Sequence, residues 1–219
     1  MTARPGANGG HDALPAAVDR VGLLGGSFNL AHSGHLHISR LALQILELDE
    51  VWWLVSPQNP LKPASEMEPL EERLASARAA AASDPHVRVT AVERDMGTRY
   101  TVDTLAALER QYSDTRFVWV MGADNLAEVH RWKDWSAIFE RIPVAVFDRP
   151  TYSFGALQSP AARRFAEHRL GRSRAGALAV QEPPAWVFLW TAFDPASATA
   201  IREEAKTRPA PDGAVDHRR

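Results

Sequence analysis

Short apolar runs alternate along the chain with segments of helical period. The first run, Val21–Leu24, has the length and composition of a strand that is buried on both faces. The pair Gly25-Gly26 follows it and is expected to end the strand in a tight turn, because glycine adopts backbone conformations that other residues avoid. Apolar residues then recur at the period of one helix face, at Ile38, Leu41, Ala42, Ile45 and Leu46.

The same alternation continues through the rest of the sequence. Further strands are predicted at 51–56, 86–92, 117–121, 143–147 and 186–190. Helices are predicted at 70–81, 101–112 with Thr101 as its N-cap, 123–131, 160–170 and 197–206. Brief strands that are apolar throughout and alternate with helices indicate an α/β fold, a Rossmann-like doubly wound parallel sheet with helices on both faces.

The ends of the chain differ from its middle. Residues 1–19 are rich in Gly, Ala and Pro and are expected to form a disordered lead-in. Residues 207–219 are expected to form a flexible tail, which leaves 20–206 as a single domain.

Five polar loops each follow a predicted strand. In a parallel sheet such loops open onto one edge, and ligands bind there, at the point where the strand order reverses. The loops are 25–35, 56–62, 97–101, 121–124 and 148–150.

Composition narrows the function classes. Lys plus Arg number 25 against 27 Asp plus Glu, a net charge of −2, which argues against a nucleic-acid binder that depends on electrostatic attraction. The absence of cysteine excludes disulfides, thiol catalysis and cysteine-ligated zinc, and it fits a cytoplasmic protein. No apolar run has the length of a membrane span or a signal peptide. Whether the chain forms a homo-oligomer stays open.

Two histidines stand at the start of the first predicted helix. His32 and His35 are three residues apart and are expected to point out of the same helix end. A helix N-terminus carries free N–H groups and a partial positive charge, so we expect a cationic site for an anion such as phosphate.

This stretch resembles the nucleotidylyltransferase superfamily, whose signature reads G-G-x-F-[ND]-P-x-H-x-G-H. The residues here are Gly25, Gly26, Ser27, Phe28, Asn29, Leu30, Ala31, His32, Ser33, Gly34 and His35, and Leu30 replaces the usual proline. A second segment, residues 197–202, resembles the I-S-S-T-x-I-R motif of the superfamily, with Ala198 in place of the second serine. Hydroxyls of Ser197 and Thr199 with the guanidinium of Arg202 would form a second phosphate site at a helix start.

The resemblance implies adenylyl transfer from ATP, in which an acceptor phosphate attacks the α-phosphorus in line and pyrophosphate leaves. Such chemistry asks for positioning and charge neutralisation rather than a protein nucleophile. It implies that His32, His35 and Arg202 are catalytic and that Mg²⁺ accompanies ATP, held by phosphate oxygens and water rather than by a protein metal site. The implied ATP-binding residues are Gly25, Gly26, Ser27, Phe28, His32, His35, Gly122, Asp124, Ser197, Thr199 and Arg202.

Three further segments resemble one family of the superfamily, the nicotinate-nucleotide adenylyltransferases of bacterial NAD synthesis. They are GTRYTVDTL, MGADNL and HRWKDW. By that resemblance Asp124 would bond the adenosine ribose and Trp132 would stack on the pyridine ring of nicotinate mononucleotide. The implied acceptor-binding residues are Lys62, Thr101, Trp132 and Arg149.

Other interpretations remain open at this point. Pantetheine-phosphate adenylyltransferases share both signatures but lack the element around Trp132. Cytidylyltransferases and a fragment of a class I aminoacyl-tRNA synthetase fit less well. A non-catalytic nucleotide-binding domain that kept the fold is the alternative of a different class, and retention of His32, His35 and Arg202 speaks against it.

Overall fold

The computed structural model describes Leu14 and residues 18–58, 67–149 and 152–190. In these ranges seven strands form one sheet in the order β3-β2-β1-β4-β5-β7-β6, and every neighbouring pair is parallel. The strands are β1 (Arg20–Gly26), β2 (Glu50–Val55), β3 (Val87–Thr90), β4 (Arg116–Gly122), β5 (Val144–Phe147), β6 (Arg169–Leu170) and β7 (Trp186–Leu189).

Eight α-helices lie in the described ranges. They are α1 (Ser33–Ile45), α2 (Leu70–Ala81), α3 (Val92–Asp95), α4 (Thr101–Gln111), α5 (Ala123–Glu128), α6 (Trp135–Arg141), α7 (Ser153–Leu157) and α8 (Pro160–Arg164). Three 3-10 segments supplement them, at Val129–Arg131, Ala166–His168 and Arg172–Val180.

The sheet is covered on both faces, which explains why its strands are apolar throughout. Leu23 and Trp119 point to one face, where they pack with residues of α4, α5 and α6. Trp53 and Val120 point to the other face, where they pack with residues of α1 and α2. The predicted doubly wound α/β fold is therefore confirmed, and the strand order reverses between β1 and β4, which both continue to glycines.

Several sequence predictions were wrong in detail. The strand predicted to reach residue 92 ends at Thr90, and a single helical turn, α3, follows. The N-cap of α4 is Tyr100 rather than Thr101, which is the first helical residue. The helix predicted at 160–170 ends at Arg164, because a 3-10 turn and the short strand β6 take its place. Helices α6 and α7 were not predicted.

Some predictions fall outside the described ranges. These include the helix at 197–206, the tail at 207–219 and most of the lead-in at 1–19. Within the described ranges, none of the helices has the length and apolar character needed to cross a membrane.

Candidate active site

The two histidines of the H-x-G-H stretch cap the helix that they begin. His32 is the N-cap of α1, and its Nδ1 accepts a hydrogen bond from the backbone N–H of Gly34 at 3.1 Å. The Nδ1 of His35 accepts in return from the backbone N–H of His32 at 3.3 Å. The two ring centroids are 4.0 Å apart. In a neutral imidazole whose Nδ1 accepts, the proton resides on Nε2, so each ring has an Nε2–H group to donate.

This geometry engages backbone groups at the helix start. The backbone N–H groups of His32 and Gly34 bond the imidazoles, so fewer backbone N–H groups remain there for an anion. The N–H donors that the neutral imidazoles carry lie on Nε2. The prediction that both histidines share one helix end is nevertheless confirmed.

His35 is a neutral donor rather than a cation. Burial of the ring is the main cause that lowers the pKa of His35 to about 3, and repulsion from His32 and Arg149 adds to it. Its ring lies 4.8 Å from that of Phe28, which in turn stacks on Trp53 at 5.1 Å. Aromatic neighbours hold the ring, and part of the residue stays accessible. The expected cationic character of the site is therefore wrong at His35.

Phe28 supports the site from behind. The sequence placed it among the ATP-binding residues, but its side chain is 2 % exposed and packs between His35 and Trp53. Trp53 is itself fixed through its Nε1–H, which donates to the Ser39 hydroxyl, and that hydroxyl donates to the His35 carbonyl. A chain of ring contacts and hydrogen bonds thus fixes the orientation of His35 from β2.

The glycine pair has a different role from the predicted one. Gly25 and Gly26 are the last two residues of β1 rather than the turn that follows it, and neither has a positive φ. A Cβ at Gly25 would lie 2.4 Å from Cη2 of Trp119, so glycine is needed there because the indole lies against the strand. The turn is made by Phe28 and Leu30, at φ 45° and 75°.

A second cluster lies at the end of β4. Nη1 of Arg149 donates a hydrogen bond to Oδ2 of Asp124, the second residue of α5. Oδ1 of Asp124 is buried and has no hydrogen-bond partner among the described residues. A Cβ at Gly122 would lie 2.4 Å from that oxygen, so the glycine leaves the space that the carboxylate fills. Arg149 is also close enough to disfavour protonation of His35, which links this cluster to the histidines.

A cavity of about 390 Å³ opens beside these groups, on the face of the sheet that carries α4 and α5. Five of the predicted site residues line it: Gly25, Gly26, Ser27, Thr101 and Trp132. Its wall also carries three basic side chains, those of Arg99, Arg131 and Lys133. Nζ of Lys133 lies 4.8 Å from the Tyr100 ring centroid and 3.1 Å from Asp103 Oδ2. The cavity therefore combines aromatic faces with positive charge.

Two buried charged residues were missed by the sequence interpretation. Arg73 on α2 is 2 % exposed and donates to four backbone carbonyls, those of Ser27, Ser56, Pro57 and Glu68. It thereby ties the loop after β1 to the loop after β2. The signal for it was present, because position 73 falls three residues after Leu70 on the apolar face of the predicted helix. The second residue is Glu93, which lines the cavity and is 6 % exposed.

Not every predicted site residue can be placed. Lys62, Ser197, Thr199 and Arg202 lie outside the described residues, so their predicted roles stay predictions. In the described ranges, no group of three or more His, Asp or Glu residues is arranged to hold a metal ion.

Comparison with known proteins shows the family to which the chain belongs. The family model described as cytidylyltransferase-like matches residues 23–204. A probable nicotinate-nucleotide adenylyltransferase from Bradyrhizobium sp. (strain BTAi1) is 51 % identical over 183 residues, which cover 84 % of this chain and 95 % of that protein. A protein of the same name from Methylorubrum extorquens (strain PA1) is 50 % identical over 183 residues, covering 84 % of this chain and 98 % of that one.

Solved structures support the fold. The Plasmodium falciparum nicotinic acid mononucleotide adenylyltransferase complexed with NaAD matches with a TM-score of 0.58 at 11 % identity, over 83 % of this chain and 78 % of that one. A putative nicotinate-nucleotide adenylyltransferase from Vibrio parahaemolyticus matches with a TM-score of 0.50 at 18 % identity, over 62 % of this chain and 77 % of that one. At these identities the likeness concerns the fold alone.

Proposed function

Because the chain belongs to the cytidylyltransferase-like family and, within it, to the nicotinate-nucleotide adenylyltransferases, we propose that it transfers the adenylyl group of ATP to nicotinate mononucleotide in NAD biosynthesis. The products are nicotinate adenine dinucleotide and pyrophosphate. The observation that carries the proposal is the pairing of His32 and His35 beside a cavity walled by aromatic and basic side chains, at the switch point of the sheet.

In this reaction an oxygen of the acceptor phosphate forms a bond to the α-phosphorus of ATP. The bond from that phosphorus to the bridging oxygen breaks, and pyrophosphate leaves with the electron pair. The developing charge on the phosphoryl oxygens needs donors that are already in place, because preorganised donors require no reorganisation during the reaction. The Nε2–H groups of His32 and His35 serve this role, the latter without a charge of its own.

The substrates would lie across the edge of the sheet. The histidines begin α1 on one face, and the cavity opens on the other, with Gly25 and Gly26 between them at the end of β1. Glycine backbone lets the linked phosphates pass close to this edge. The adenosine ribose would donate a hydroxyl to the carboxylate of Asp124, which Arg149 holds at the end of β4.

The acceptor nucleotide would occupy the cavity. Trp132 presents an indole for the cationic pyridine ring, a pairing in which the ring quadrupole attracts positive charge. Thr101, at the start of α4, brings N–H groups for the nicotinate carboxylate. Arg149 offers a cation for the acceptor phosphate, and Lys62, Ser197, Thr199 and Arg202 complete the proposed set from outside the described residues.

ATP would enter as its magnesium complex. No described cluster of carboxylates or histidines is built to hold the ion, so the phosphates and water would coordinate it.

The test is to incubate the protein with ATP, Mg²⁺ and one acceptor at a time, and to follow pyrophosphate. Release with nicotinate mononucleotide but not with phosphopantetheine is expected. A preparation of the double variant His32→Ala, His35→Ala controls for contaminating activity. Release with phosphopantetheine would favour the pantetheine-phosphate reaction, and no release with either acceptor would favour a non-catalytic nucleotide-binding domain.

A further inference from the structure

The proposed reaction gives Glu93 no role, although its side chain belongs to the acceptor cavity. Glu93 is the second residue of α3, which follows β3 directly and so lies at the carboxyl edge of the sheet. It lines the cavity together with Ser56, Thr101 and Trp132. It is 6 % exposed, whereas Glu128, the other carboxyl residue of the same wall, is half-buried.

The Glu93 carboxyl has no cation to neutralise it among the described residues. Its Oε2 is enclosed and accepts no hydrogen bond there, and the group has one polar contact, with the Ser56 side chain. The guanidinium of Arg73 approaches the same serine but donates to its backbone carbonyl. On α3 itself, Arg94 pairs with Glu71 and Asp95 at the surface. The other charged or titratable groups of the cavity wall are Arg99, Tyr100, Glu128, Arg131 and Lys133.

The Ser56 hydroxyl has two acceptors within its reach. It donates to the carbonyl of Gln58 at 3.1 Å. A hydroxyl has one proton, so while that bond holds, the ionised Glu93 carboxylate lacks this donor. Burial of the group raises the pKa of Glu93 to about 7, against the opposing effect of the Ser56 hydrogen bond. Glu93 is thus a neutral acid in mildly acidic solution and ionises as the pH rises above neutrality.

We propose that Glu93 determines acceptor specificity, because as a neutral acid it admits a carboxylate-bearing acceptor and as an anion it disfavours that acceptor relative to its amide analogue. This inference rests on the proposed function. A negative charge enclosed in the cavity wall repels a ligand carboxylate strongly, since little water screens the pair. An amide carries no charge and is affected far less, while the phosphate common to both acceptors cancels in the comparison.

The experiment measures the dissociation constants of nicotinate mononucleotide and nicotinamide mononucleotide by calorimetry at pH 6 and pH 9. For the acid, we expect binding to the wild-type protein to weaken by about tenfold or more over this range, on the scale of one close like charge. For the amide, a change below about twofold is expected. Glu93→Gln, which is neutral at both pH values, should bind the acid with nearly the same constant at both.

Two further variants sharpen the test. Glu128→Gln removes the other carboxyl of the wall and should keep the wild-type ratio of the two constants for the acid. Ser56→Ala removes a hydrogen bond that favours ionised Glu93, so the midpoint of the pH profile should move to higher pH. The Ser56→Ala profile tests the proposal independently if Glu93→Gln does not fold.

The outcomes are separable. A flat profile for the wild-type protein, a Glu93→Gln variant with the wild-type ratio, or equal weakening of acid and amide would overturn the inference. If the amide binds at neither pH, the proposal is decided by the acid alone: its dissociation constant must change with pH in the wild-type protein and stay nearly constant in Glu93→Gln. A protein that binds neither acceptor and releases no pyrophosphate would instead contradict the proposed function.

Discussion

His35 and His32 hold each other in place at the start of α1. The Nδ1 of His35 accepts from the His32 backbone at 3.3 Å, while the His32 ring accepts from the backbone of Gly34 at 3.1 Å. This reciprocal cap fixes both rings and the position of their protons. A capping arrangement that normally serves only to begin a helix here also leaves the proton of each neutral ring on Nε2.

Replacing His35 by alanine should remove one of these donors. We expect kcat for pyrophosphate release to fall about 100- to 1,000-fold, the scale seen when one transition-state donor is lost. The helix should persist, because His32 still caps Gly34. Circular dichroism checks the fold, and His37→Ala, on the same helix, is the matched control with near-normal kcat. Turnover within a few-fold of the wild-type value would remove His35 from the mechanism.

The low pKa of His35 predicts an acid-sensitive stability. The folded protein keeps this ring neutral down to about pH 3, whereas the unfolded chain protonates it near its ordinary value of 6.5. Between these values the unfolded state binds more protons, so the free energy of unfolding falls as the pH falls, by at most about 1.4 kcal/mol per pH unit. This contribution is fully present above pH 6.5. Urea unfolding from pH 7 to pH 4 should show a smaller decline for His35→Gln than for the wild-type protein, and parallel declines would contradict the prediction.

The sequence predicted the sheet and the shared helix end of the two histidines, because both depend on local patterns. The apolar run Val21–Leu24 and the spacing of His32 and His35 carry that information without reference to distant residues. The charge of His35 could not be predicted, since it depends on burial against Phe28 and on Trp53, which comes from a different strand.

The role of Gly25 depends in the same way on a residue far along the chain. The glycine pair suggested a turn, yet Gly25 is required by the indole of Trp119 on β4, 94 positions later in the sequence. Arg73, by contrast, could have been found, because a charged residue on an apolar helix face signals a buried hydrogen-bond role. Short helices such as α6 have too few turns to show a period.

The contact between Gly25 and Trp119 predicts the cost of a single methyl group. Gly25→Ala places a Cβ 2.4 Å from the indole, so the ring or the strand must shift. We expect a loss of about 1–3 kcal/mol in the free energy of unfolding, as for other overpacked sites. In the Trp119→Phe background, where the ring is smaller, adding Gly25→Ala should cost less free energy of unfolding than it costs in the wild-type protein. Gly155→Ala, where a Cβ meets nothing within 4 Å, is the control and should not destabilise. Additive effects of the two substitutions would show that the ring is not the cause.

The positive φ of Leu30 predicts that the proline of the superfamily signature would lower stability and kcat in this chain. Its φ is 75°, whereas a proline ring holds φ near −65°, so Leu30→Pro cannot keep the observed loop. We expect a loss of more than about 1 kcal/mol in stability and a lower kcat, because His32, the N-cap of α1, lies two residues later. Leu30→Gly, which tolerates positive φ, is the matched control and should keep kcat near the wild-type value. A fully stable and active Leu30→Pro variant would show that the loop takes a different backbone path.

Trp132 and Trp135 are three residues apart but should respond differently to substitution. Trp132 lines the acceptor cavity, whereas Trp135 packs edge-on against Phe139 and Phe165 at 6.4 and 6.1 Å between ring centroids. Trp132→Ala should therefore raise the KM for the acceptor about tenfold, on the scale of one lost stacking and cation–π contact, with a smaller effect on kcat. Trp135→Ala should lower the melting temperature and leave the KM within about twofold, because its contacts are internal. Steady-state kinetics and thermal unfolding of both variants separate the two roles. If Trp132→Ala lowers stability and leaves the KM unchanged, Trp132 is a packing residue and the pyridine ring must be bound elsewhere in the cavity.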